Sequence, residues 1–119
     1  MIHEEKKVAK IIEELTMFFF ALGADEIESR IQRKNNQDII WMSANYDLDY
    51  KEELHYLEKY LNKEKNDGLE DIYWELAGSG DPGESSQLLL IGMMIDKAEI
   101  KIEDAKVELK LYKEIREGY

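Results

Sequence analysis

The chain has 119 residues, enough for one domain over 1–119 whose core needs no covalent staples. It contains no cysteine, which excludes a disulfide framework, a thiol nucleophile and a zinc–thiolate site. With 16 basic residues against 27 acidic ones, the net charge of −11 argues against nucleic acid and anionic membrane surfaces as partners.

Three further exclusions follow from spacing. His3 and His55 lie far apart, and no metal site is expected from them. The apolar runs 17–23 and 88–95 are too short to span a bilayer. The N-terminal residues lack a signal-peptide layout, so a cytoplasmic protein is the expectation.

Val8, Ile11, Ile12, Leu15, Phe18, Phe19 and Leu22 recur at helical spacing and predict a helix over 4–22, with Gly23 as its C-cap. Met17 and Phe20 widen the apolar stripe, so the last turns are expected to be buried on two sides. Ile27, Ser29 and Ile31 alternate with Glu26, Glu28 and Arg30, the pattern of a half-exposed strand. Residues 34–37 supply turn chemistry. The stretch 39–44 is apolar at nearly every position, as expected for a strand covered on both faces, which places Trp41 in the core.

Asp49 and Glu52 form a capping signature for a second helix reaching about Asn62, with Leu54, Leu57, Tyr60 and Leu61 as its inner stripe. Asp67 and Glu70 cap a shorter helix buried through Leu69, Ile72, Tyr73 and Leu76. Trp74 falls on the other side of that helix, where exposure makes it the preferred partner contact. A glycine-rich loop over 78–86 follows, and Ser85 or Ser86 can cap a helix over 87–95. The chain closes on a hairpin: Ala98, Ile100, Ile102, Val107, Leu109 and Leu111 face inward, and charges of both signs face water.

The loop over 78–86 has two readings. Gly78, Gly80, Gly83 and Ser85 can shape a ligand or partner loop, or simply a turn with a helix cap. Gly78, Gly83 and Ser85 have P-loop spacing, but Glu84 replaces the lysine that meets the phosphates, so a P-loop is excluded.

The order helix, hairpin, helices, glycine loop, helix, hairpin resembles that of the GHKL, or Bergerat-fold, ATPases, including the ATP-binding domain of sensor histidine kinases and the anti-sigma-factor kinases. Residues 14–23 look like the helix bearing the family's N box, with Glu14 at the catalytic-glutamate position. Residues 45–47 fall at the adenine-reading box, residues 78–84 at the glycine-rich box, and residues 98–111 at the last two strands. The resemblance implies an α+β two-layer sandwich, a mostly antiparallel sheet of four or more strands with helices on one face. Because the chain as given starts at the N-box-like helix, a histidine-bearing helical hairpin and autophosphorylation within one chain are not expected.

The departures from the pattern share a direction. Phe18 stands where the family's asparagine holds magnesium, and Asn45 where an aspartate accepts from the adenine amino group. Asp47 and Asp49 replace glycines that let the backbone close over the base. Phenylalanine fills a pocket, and carboxylates at its rim oppose a triphosphate. Without a metal ligand beside it, Glu14 reads as a solvated helix residue.

The expectation is a non-catalytic regulatory or protein-interaction module with a degraded ATP site, no catalytic residue and no cofactor. Its partner is a protein, with a homodimer as a further option, met through Asn45, Asp47, Trp74, Gly78, Gly80, Gly83 and Ser85. The alternatives are a divergent ATP-binding protein or anti-sigma-type serine kinase, with Asn45 on the base, the loop glycines on the phosphates and Mg-ATP as ligand, and a small-molecule sensor.

Overall fold

A computed structural model describes residues 2–62 and 84–116, with side chains described at 3–62 and 87–116. Helix α1 (Ile2–Ala21) carries Glu4 and Glu5 in its first turn, where carboxylates complement the helix dipole. Val8, Ile11, Leu15, Phe18, Phe19 and Leu22 are buried along one face. The helix ends in a Schellman arrangement: Gly23 N donates to Phe20 O at 3.0 Å and Ala24 N to Phe19 O at 3.0 Å. Gly23 adopts φ +85°, which the reversal requires and which a side chain disfavours.

Strands β1 (Ile27–Lys34) and β2 (Gln37–Asn45) form a hairpin whose turn residues, Asn35 and Asn36, both take positive φ (55° and 60°). Asparagine tolerates that region, which suits the twist of a two-residue hairpin turn. Asp47 then caps a 3₁₀ turn over Leu48–Leu54 by accepting from Asp49 N at 2.9 Å. The expected Asp49–Glu52 cap is thus displaced by two residues, because the chain turns at Asp47 before it can wind. Helix α2 (His55–Leu61) follows, burying Leu57, Tyr60 and Leu61, with Leu54 buried just before it.

Helix α3 (Glu84–Met94) begins earlier than its apolar pattern suggested, placing Ser85 and Ser86 inside its first turn rather than at its cap. The expected helix with Leu69 to Leu76, and Trp74 with it, lies outside the described residues. Strands β3 (Lys97–Glu103) and β4 (Lys106–Glu114) make the second hairpin.

The four strands form one antiparallel sheet in the order β1-β2-β4-β3. Strand periodicity puts Ile40, Met42 and Ala44 of β2 on one face with Val107, Leu109 and Leu111 of β4, all buried. On the same face Ala98, Ile100 and Ile102 of β3 are half-buried against the core. The described helices cover this inner face, α1 over β1 and β2, α2 toward β3, and α3 against both helices. The architecture is α+β in two layers, as expected.

One reading of burial in α1 is corrected. Met17 is 59% and Phe20 56% exposed, so the last turns of α1 are covered on one side only. Phe18 and Phe19 do reach the core, meeting edge to face at a centroid distance of 5.8 Å.

At one end of the inner face the core contains charge. Lys113 of β4 and Glu4 of α1, both almost fully buried, form an ion pair, and Lys7 donates to Glu4 at 3.3 Å. Beside them Arg33 grips buried Asp38 through two bonds of 2.7 and 2.9 Å and reaches Glu5 at 2.6 Å. Burial is the largest influence on Glu4 and pushes its carboxyl up, yet the bonds from Lys113 and Lys7 outweigh it and hold the group below its ordinary value.

Candidate functional site

Of the residues singled out from sequence, Asn45 and Asp47 come together where β2 leaves the sheet beside the C-terminus of α1. Asn45 Oδ1 accepts from Asp25 N at 2.9 Å and Glu26 N at 3.1 Å, while its Nδ2 donates to Asp25 Oδ1. The amide thereby clamps the loop after α1 to the end of β2. Asp47 N donates to Leu22 O at 2.9 Å, and Tyr50 N returns to Asp47 O at 2.8 Å. A Cβ on Gly23 would lie 3.0 Å from Asp47 Cβ, so this crossing depends on glycine as much for space as for φ.

Glu14, at the family's catalytic-glutamate position, is partly exposed and paired with Lys10 at 2.8 Å. Phe18, at the metal-ligand position, is 4% exposed within the core. Trp74, Gly78, Gly80 and Gly83 lie outside the described residues, and Ser85 is described only as part of the first turn of α3. Among the described residues no group of three histidines or carboxylates is placed to hold a metal ion, and no helix is long and apolar enough to cross a membrane.

The outer face of the sheet holds a feature that the sequence reading missed. Trp41 is half-buried there, not in the core, and β2 alternates fully buried with half-buried positions along its length. The Arg30 guanidinium lies over the Trp41 ring at 4.3 Å and the Lys110 ammonium at 5.4 Å. Tyr112 continues the patch, with Lys110 at 5.1 Å and Lys97 at 5.4 Å from its ring and its hydroxyl donating to Glu99 at 2.8 Å. The hydrogen bond with Tyr112 holds the Lys110 ammonium above its ordinary value.

Trp41, Arg30, Lys110 and Glu99, without Tyr112 or Lys97, line an open depression of about 520 Å³ across all four strands, together with Glu28, Lys101 and Glu108. The charged ends of Arg30 and Lys110 lie against the aromatic rings, where a cation is attracted to the ring face. Such a surface can stack a planar group and read charges of both signs around it.

A signal for this face was present in the sequence. Glu28 and Arg30 on one neighbouring strand, and Glu108 and Lys110 on the other, share the face of Trp41. A face lined by those charges takes no second apolar layer.

Comparison with family models, with curated proteins and with solved structures finds no match to this chain.

Proposed function

We propose that the protein is a non-catalytic regulatory or protein-interaction module, built on a histidine-kinase-like ATPase fold with a degraded ATP site. The burial of Phe18 carries this reading. Where the resemblance puts a magnesium-holding asparagine, a hydrocarbon ring is packed among core side chains and offers no ligand atom. Support comes also from Asn45, whose carbonyl oxygen already accepts two backbone hydrogen bonds at the position assigned to adenine recognition. The order of described elements, helix, hairpin, helix, helix, hairpin, agrees with the resemblance.

The partner surface is the outer sheet face around Trp41, with Trp74, Gly78, Gly80, Gly83 and Ser85 as further contacts. An aromatic floor ringed by both signs of charge suits the mixed side chains of a protein, and aromatic and arginine residues supply the strongest anchors at such interfaces. A net charge of −11 opposes a polyanion.

The test is a thermal-melt titration of the full chain with ATP and ADP, with and without Mg²⁺. A ligand at a hundred times its Kd stabilises the native state by about 2.7 kcal/mol, a shift easily resolved. The expected result is an unchanged melting temperature. A dose-dependent rise overturns the proposal in favour of a divergent ATP-binding protein or anti-sigma-type kinase.

A further inference from the structure

We propose that two copies of the chain associate through β3, paired antiparallel about a two-fold axis at Ile100, joining their sheets into one continuous sheet. β3 is an edge strand, and among the described residues no strand pairs with its outer side. An edge of this kind offers unpaired backbone N–H and C=O groups to another strand. Whether the offer is taken depends on what the side chains opposite one another do.

The charges of β3 are antisymmetric about its centre. Lys97, Glu99, Lys101 and Glu103 all lie on the exposed outer face and alternate in sign. In the pairing centred on Ile100, Lys97 faces Glu103 of the second copy and Glu99 faces Lys101 of the second copy, so every charged position meets its opposite. On the inner face Ile100 meets its own copy, and small Ala98 faces large Ile102. A slip that moves the axis to Glu99 or Lys101 sets like charges against each other throughout. An axis at Ala98 or Ile102 keeps opposite charges together but pairs fewer of them, so the pattern favours the register centred on Ile100.

The same charges already meet opposite signs within the hairpin: Glu99 faces Lys110, Lys101 faces Glu108 and Glu103 faces Lys106. A second copy continues that alternation outward by one more strand. The other edge lacks this property. A pairing of β1 with its copy about Ile31 opposes Glu28 and Lys34 but leaves Arg30 against Gln32 and Arg33 against Ser29.

The experiment is sedimentation equilibrium of the full chain from micromolar to millimolar concentration, with circular dichroism to confirm folding. A reversible monomer–dimer equilibrium is expected for the native sequence. In Glu99→Lys, two like-charge contacts form across the seam, and dissociation is expected to become about tenfold easier or more. Adding Lys101→Glu to that variant restores opposite charges across the seam while creating a second mismatch with β4, so dimerisation is expected to recover. A chain that is monomeric throughout overturns the proposal. So does a dimer indifferent to Glu99→Lys, or one that weakens further in the double variant, which would trace the effect to the hairpin.

Discussion

Two residues separated by most of the chain decide whether the inner face can hold charge. Lys113→Met leaves the buried Glu4 carboxylate with only the half-exposed Lys7 ammonium, and the expected loss is up to about 3–5 kcal/mol at neutral pH, read by urea denaturation. Glu4 sits below its ordinary value of 4.5 in the folded protein, so the stability it contributes is in place above that pH and is lost as the pH falls through the lower folded value. In Lys113→Met the sign is expected to reverse, because a buried carboxyl left with only the half-exposed Lys7 ammonium favours its proton. The gap between native and variant chains is therefore expected to narrow on acidification, which paired denaturation curves at pH 7 and pH 4 would check. Asn45→Ala removes the acceptor for two loop N–H groups, and about 1 kcal/mol or more of stability is expected to go with it.

At the scale of elements, contacts between backbones set the tolerances. Gly92 lies where α3 crosses α2, and a Cβ there would stand 1.9 Å from the Tyr60 carbonyl oxygen. Backbone cannot swing aside as a side chain can, so Gly92→Ala must push the helices apart. A loss of about 1–3 kcal/mol is expected, measured by thermal melting alongside a neutral exposed substitution. The turn between β3 and β4 offers the opposite case. Ala105 holds φ 63°, a region that costs an L-residue about 1–2 kcal/mol. Glycine relieves that strain but loses more entropy on folding, so Ala105→Gly is expected to gain about 0.5–1 kcal/mol in the same melts. The two asparagines of the first hairpin were legible as a turn because their side chains tolerate this region. Alanine at 105 carries no such mark.

For the whole molecule the dominant number is the net charge of −11. Self-repulsion at that charge weakens the compact state, and added salt screens it over a Debye length of about 8 Å at physiological ionic strength. The melting temperature is therefore expected to rise between low and physiological salt. A fall, seen by calorimetry, would mean that surface pairs such as Arg33 with Glu5 and Arg116 with Asp96 outweigh the repulsion. One fold carries both proposed surfaces: the described helices lie over the inner face, while the depression at Trp41 opens on the outer face and β3 is an edge of the described sheet.

Local pattern determined the α1 stripe from Val8 to Leu22, the glycine stop at Gly23, both hairpins, and the inward positions of β3 and β4. Those features depend on helical or strand periodicity and on turn residues that act within a few positions of themselves. Trp41, Asn45 and Glu4 belonged to a different order of information. The apolar run around Trp41 was compatible with cover on both faces, and only pairing with charged neighbours on β1 and β4 exposed one of them. The loop at Asp25 folds back onto the Asn45 amide, and Lys113 comes from the far end of the chain to meet Glu4, pairings that no local pattern announces. Periodicity says which residues share a face. What covers that face, and which charge meets which, depends on strand order and register, and these the tertiary structure alone decides.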